Sequence, residues 1–366
     1  MKKYNLAFRF RIYPSQEQEI LIHKTFGCSR FVYNKILGKA KEIYELEGKN
    51  KIITPASLKD KFEFLKEVDS LALANTQLNV RTAFTNFFKK RTSFPKFKSK
   101  KFPKKSYTTN CVNNSIRIEN SFLKLPKLGL VKVKFHRDIP LTHIIKSATI
   151  SQEPNGAFYV SILTEFEKKI DLVPSNNNVV GLDFSMSELF VSSDNQRADY
   201  PKFFRKYQDK LAKIQRELSR KVKFSQNWYK AKLKVAKLHQ IIKNSRKDFL
   251  HKLSHELVNK YNALILEDLN MKGMSQALNF GKSVSDNGFG MFTTMLQYKA
   301  LFLGKQVIKI DKWFPSSKTC SHCGSIKSEL KLSERTYKCE ICELEIDRDI
   351  NASINIRELG KTLLAY

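Results

Sequence analysis

Alternation is the first pattern in the chain. Between Leu6 and Tyr13, Phe8, Phe10 and Ile12 fall on one side and Arg9 and Arg11 on the other, which predicts a half-exposed strand ended by Pro14. Ser15 then opens a tract, SQEQEILIHKTFGCSRFVYNKILGKAKEIYELEGK, whose apolar positions recur at three and four. That is the period of an amphipathic helix with a capped start. A second helical tract is expected from about Pro55 to Lys90, carried by Leu58, Phe62, Leu65, Leu71 and Leu73 and then by Val80, Phe84, Phe87 and Phe88. From Ser115 to Phe166 the period returns to two, in SIRIEN, FLKLPKLG, VKVKFH, IKSATISQE and AFYVSILTEFE. Asn155-Gly156 between the last two runs is a strong hairpin signal. With the opening strand these runs predict one antiparallel β-barrel, residues 1–14 and 91–171, with a helical subdomain, 15–90, inserted into its first loop.

A Pro-Ser-Asn-Asn-Asn linker over 172–178 marks a boundary. Beyond it, Val179-Val180-Gly181-Leu182-Asp183-Phe184 reads as a short apolar strand interrupted by one acid, with a second strand at Glu188 to Ser192. A basic helical tract from Lys202 to Lys260 follows, with apolar stripes at Leu211, Ile214 and Leu218 and at Phe249, Leu253 and Leu257, broken at Phe224 to Asn227. Another apolar strand then ends in Glu267-Asp268. Side chains alternate along a strand, so these two acids point to opposite faces and only one can join a site with Asp183. Asp349 supplies a third carboxylate where the final helix, DINASINIRELG, begins. A buried aspartate is costly without a counter-charge. Two acids at strand ends and one at a helix start are what a two-metal phosphodiesterase site requires, with two Mg2+ ions about 3.5–4 Å apart. Each acid alone reads more simply as a cap or turn residue; their shared order and basic surroundings favour a common site.

Charge adds a partner. Lys+Arg number 66 against 35 Asp+Glu, a net charge of +31 spread along the chain, which points to a polyanion. An anionic membrane surface is less suited, because no run of about twenty apolar residues occurs and no amphipathic helix stands alone. The opening MKKYNLAFRFRIYP lacks the apolar block of a signal peptide, so a cytoplasmic, nucleoid-associated protein with free thiols at Cys28 and Cys111 is expected. In the stretch from Lys89 to Asn110, Lys96, Lys98, Lys100 and Lys101 are interleaved with Phe94, Phe97, Phe102 and Tyr107. Lysines neutralise phosphate and aromatic faces stack on unpaired bases, so a nucleic-acid-contacting loop is expected there. A solvated linker with incidental aromatics is the plainer alternative. Lys230, on the basic helical tract, is a further candidate contact.

The last candidate is a metal centre. Cys320, Cys323, Cys339 and Cys342 form two C-x2-C pairs separated by fifteen residues, the spacing of a four-thiolate zinc site. Two disulfides are the competing pattern, which the expected reducing location disfavours.

At these residues the chain resembles the TnpB family of insertion-sequence nucleases, compact relatives of type V CRISPR effectors. The likeness runs through F-P-x-F-K-S-K-K at Phe94 to Lys101, G-L-D at Gly181 to Asp183, Ser225-x-Asn227-x-x-Lys230, and Arg246 to Lys252. It continues in L-E-D-L-N at Leu266 to Asn270, Lys272-Gly273-Met274, S-S-K-T-C-S-H-C-G at Ser316 to Gly324, and D-R-D-x-N-A at Asp347 to Ala352. Two departures are Ser185 and Glu343, which stand where the family often has glycine. The resemblance implies a multidomain α+β protein: the barrel acts as a wedge and its inserted helices as a recognition subdomain. An RNase H-like (RuvC) α/β domain, 179–312 and 345–366, then carries an inserted zinc ribbon, 313–344. It also implies an RNA-guided DNA endonuclease working with a guide RNA on double-stranded DNA; of oligomeric states, which the sequence leaves open, a monomer is favoured. Its catalytic acids are Asp183, Glu267 and Asp349, the last chosen over Asp347 because the family's acid stands two before the Asn351-Ala352 pair. Zn2+ is the implied structural ion and two Mg2+ the catalytic ones, and base pairing reads most of the target. A DNA-joining transposase and a guide-bound repressor are the alternatives.

Overall fold

The computed structural model describes residues 1–48, 51–101, 105–175, 178–277, 281–331 and 333–364. The chain divides into two compact units, Met1–Lys169 and Ile170–Tyr366.

In the first unit the alternating opening residues form β1, Lys2–Tyr13. Phe8, Phe10 and Ile12 are buried on one face, while Arg9 pairs with Glu153 on the other. Ser15 and Gln18 make the reciprocal cap of α1, Gln16–Glu47, which ends at Gly48 in the left-handed region. The second helical tract is interrupted. A turn of helix α2, Ala56–Lys59, and a 3-10 turn, Glu63–Lys66, precede α3, Ser70–Phe88. Asp69 starts α3 by accepting the Leu71 N–H at 3.0 Å.

Six further strands join β1: β2 Ser106–Asn110, β3 Arg117–Glu119, β4 Phe122–Leu125, β5 Gly129–Lys134, β6 Ile144–Gln152 and β7 Phe158–Lys168. The β6–β7 hairpin turns at Gly156, φ +84°. The expected closed barrel is corrected here. The sheet runs β2-β6-β7-β1-β5-β4-β3, with β2 and β3 as edges and no ladder between them among the described residues. Ile22 and Phe26 of α1 and Ala72 of α3 pack into the same core as Phe10, Val131 and Ile150, so helices rather than strand closure cover the buried face. Strand β2 occupies residues whose sequence predicts a loop.

The second unit opens with β8, Val179–Ser185, and β9, Leu189–Ser192. Helices α4, Phe203–Lys206, α5, Gln208–Ser219, and α6, Gln226–Lys260, follow, and Ser225 caps α6 by accepting the Trp228 N–H at 3.1 Å. After β10, Ala263–Glu267, come α7, Met271–Ala277, α8, Gly281–Asn287, α9, Phe289–Phe302, and β11, Gln306–Ile310. Short strands β12, Thr336–Lys338, and β13, Glu345–Asp347, form the ribbon, and α10, Arg348–Thr362, ends the fold. The main sheet is β11-β10-β8-β9, with β10 parallel to both neighbours. Alternation divides its side chains. Val180, Leu182, Leu264 and Leu266 face α6 and α9. Val179, Ala263 and Ile265 pack with Ile356 of α10.

Helix α10 lies against β8 because Gly181 has no side chain. A Cβ there would stand 2.1 Å from the Ser353 carbonyl oxygen and 2.6 Å from the Arg357 nitrogen. Backbone cannot yield as a flexible side chain can, so Gly181→Ala is expected to destabilise the protein by about 3 kcal/mol or more and to shift α10. Thermal melting beside a DNA-cleavage assay checks this; a variant matching the parent in both would contradict the close contact. Among the described residues no helix is long and apolar enough to cross a membrane.

Candidate functional site

Asp183 and Glu267 end up side by side for a reason of register. Leu266 pairs with Leu182, and one step further the same offset sets Glu267 beside Asp183, on the face that α10 covers. Asp268 turns the other way and meets Lys309 Nζ at 2.8 Å. Asp349 arrives on the first turn of α10. Its neighbour Asp347 is committed elsewhere: Oδ1 accepts the N–H groups of Asp349 at 2.9 Å and Ile350 at 3.1 Å, and Oδ2 meets Arg197 at 3.0 Å.

The three carboxylates line one groove of about 880 Å³, with Lys202, Arg205, Lys318, Arg335 and Arg348 around it. Arg348 Nε lies 3.5 Å and Arg335 Nη1 3.9 Å from Asp349. Burial pushes the Asp183 carboxyl well above the usual carboxylate range, and Glu267 and Asp349 push it further. Burial also raises Glu267, against a lowering hydrogen bond from Ser316. Carboxylates that line one groove offer hard oxygen donors of the kind that suit a divalent cation such as Mg2+. Ser185 and Met186 complete the wall beside Asp183.

Beside the groove stand the cysteines. All four Sγ atoms lie within 4.8 Å of one another, and among the described residues no other group of three or more candidate ligands is so close. Cys320 and Cys342 are 3.6 Å apart and Cys323 and Cys339 3.5 Å. A tetrahedral zinc with bonds of about 2.3 Å would hold sulfurs about 3.8 Å apart, so the donor set fits that ion. All six cysteines are free, which removes the disulfide alternative. Strand β13 pairs with β12 as far as Asp347, three residues past the expected end of the ribbon. Glu343 sits at φ +58°, in the left-handed region that favours glycine.

Sequence reasoning missed the ties between ribbon and groove. Ser316 Oγ donates to Glu267 Oε1 at 2.7 Å. Asn355 Nδ2 donates to the carbonyls of Ser316 and Thr319, and Asn351 Nδ2 to that of Thr319. Two asparagines one helical turn apart beside an acidic helix start are the available signal.

Of the expected nucleic-acid contacts, Lys96, Phe97, Lys98, Lys100 and Lys101 are exposed in the first unit, and Lys230 is exposed on α6. The loop is held rather than free: Asn34 bonds the backbone of Lys98 in both directions, at 3.0 and 2.8 Å, and Lys98 Nζ lies over the Tyr33 ring. Tyr107 is corrected. Its ring is buried in the sheet core at 6% exposure, and burial raises its hydroxyl pKa, so no face is open to a base. Phe102 lies outside the described residues.

Comparison with known sequences gives three matching profiles. One described as "Probable transposase" covers residues 161–278, one described as "Cas12f1-like, TNB domain" covers 289–356, and a "Helix-turn-helix domain" covers 1–49. The described residues of that last span hold a strand and one unbroken helix. The protein named "Putative RNA-guided DNA endonuclease" from Streptomyces pristinaespiralis is 34% identical over 98% of this chain and 90% of its own. "Putative RNA-guided DNA endonuclease InsQ" of Escherichia coli (strain K12) is 32% identical over 98% of this chain and 93% of its own. In structure, the Cas12f1 chain of a complex with sgRNA and target DNA superposes with a TM-score of 0.62 over 97% of this chain and 99% of that one. At 12% identity that likeness concerns the fold. Identity of a third along nearly the full length of two relatives makes this chain a member of the TnpB family, the IS605 OrfB proteins.

Proposed function

We propose that this protein is the RNA-guided DNA endonuclease of a transposable element, and that it hydrolyses phosphodiester bonds in the acidic groove. The observation that carries the reading is the meeting of Asp183, Glu267 and Asp349 in one groove rimmed by arginine and lysine. Two Mg2+ ions held by these carboxylates would supply Lewis-acid activation of water and neutralise charge on the leaving 3′ oxygen. Arg335, Arg348 and Lys318 are suited to draw the DNA backbone across the acids, which would otherwise repel phosphate. Arg348 also lowers the cost of charge on Asp183. Sequence selection falls to the guide, and the exposed lysines of the 96–101 loop offer phosphate contacts.

The test is to express the gene with its native downstream DNA and to sequence RNA that copurifies. A discrete RNA extending past the 3′ end of the gene, supporting Mg2+-dependent cutting of a matched duplex, is expected. Absent or heterogeneous RNA would overturn guidance and favour the joining reaction that the transposase profile suggests, to be read with element ends as substrate.

A further inference from the structure

The ribbon and the groove are joined through a short run of hydrogen bonds. Ser316 is 6% exposed, and its hydroxyl has Glu267 Oε1 as acceptor at 2.7 Å. Its carbonyl accepts from Asn355 Nδ2 at 2.8 Å. Asn355 reaches on to the Thr319 carbonyl at 2.7 Å, where Asn351 also donates at 2.7 Å, and Asn351 Oδ1 accepts the Ser321 N–H at 2.9 Å. Both asparagines are buried, Asn351 at 0% and Asn355 at 7% exposure. Buried amides in a helix interior need specific partners, since asparagine is a poor helix former and an unpaired buried amide is costly. Here those partners lie on residues 316–321, the segment that contains Cys320.

We propose that Ser316, seated by Asn355, is a positioning residue that fixes the Glu267 carboxylate, so that the cysteine-held ribbon sets the geometry of the acidic groove. The inference rests on the reading of Glu267 as a cation-binding acid. Bonding by Ser316 takes up Oε1 and fixes the carboxylate rotamer, leaving Oε2 for a cation. The helix that carries Asp349 on its first turn carries the two asparagines on the turns that follow, so one rigid element aligns both acids with the ribbon. Hydrogen-bond partners of metal ligands are commonly worth about 10–100-fold in affinity.

The experiment compares the parent with Ser316→Ala, Ser316→Thr, Asn355→Ala and Glu267→Gln, each as the RNA-bound full chain. Mn2+ binding is followed by electron paramagnetic resonance without DNA, alongside zinc content and melting temperature. Ser316→Ala should keep its zinc and its melting temperature yet weaken Mn2+ binding about tenfold, with Ser316→Thr restoring it. Asn355→Ala should show the same weakening with zinc retained. Unchanged Mn2+ affinity in Ser316→Ala overturns the proposal, as does a loss that Thr fails to restore. Unchanged affinity in Glu267→Gln removes the underlying reading of the acid, and this inference with it.

Discussion

Asp183→Ala is expected to reduce DNA cleavage by at least about 1000-fold, equivalent to about 4 kcal/mol of barrier, while the protein retains its RNA. Burial and the neighbouring carboxylates of Glu267 and Asp349 oppose the charge on Asp183. Removing it takes away a donor beside Glu267 and Asp349 that no other side chain lining the groove replaces. Cleavage at the parental rate would sink the site assignment, and loss of RNA together with cleavage would indicate misfolding instead.

The same carboxylate gives a signed pH effect. Its folded pKa lies above the unfolded value, so the folded state takes up a proton more readily than the unfolded chain. Stability from this group is therefore greatest at low pH and is lost as pH rises through the folded pKa. Without added Mg2+, Asp183→Asn should melt higher than the parent near pH ~8, and the gap should close as pH falls. Added Mg2+ should raise the parent's melting temperature and leave that of Asp183→Asn nearly unchanged.

Cys339→Ser is the second large effect. Cys339 and Cys320 are buried with Tyr337 in a small ribbon core that has few other apolar residues, so the fold there depends on the ion the sulfurs would hold. Zinc content should fall from about one per chain to near zero, and cleavage should be lost with it, because residues 316–321 are tied to Asn351, Asn355 and Glu267. Elemental analysis paired with a cleavage assay reads both. A zinc-free protein that still cuts would overturn the dependence.

Much of this is legible in the chain. Alternation at Phe8, Phe10 and Ile12 marks the central strand, Ser15 marks a helix start that the structure caps with that side chain, and the break at Phe224 to Asn227 falls where α6 begins. The hairpin at Gly156 and the sulfur quartet follow from spacing alone. Tyr107 reads as loop in the sequence because its lysine-rich surroundings resemble a solvated segment. Its strand forms only by pairing with β6, from Ser106 with Ser151 to Asn110 with Ser147. The closed barrel fails for a related reason: alternation reports which faces are buried, and a helix can cover such a face as well as a strand can.

By itself the sequence determined the residues that share a face and the sets that could share an ion, because side-chain direction has a fixed period in each element. It left Glu267 and Asp268 distinguishable by direction alone, and it separated Asp347 from Asp349 only by resemblance. The tertiary structure separates the members of each pair by position. Register between strands more than about eighty residues apart brings Glu267 beside Asp183, and the cap at the start of α10 occupies Asp347 while Asp349 faces the groove. Those choices, like the bond from Ser316 to Glu267, depend on packing across long sequence separations, which no local period encodes.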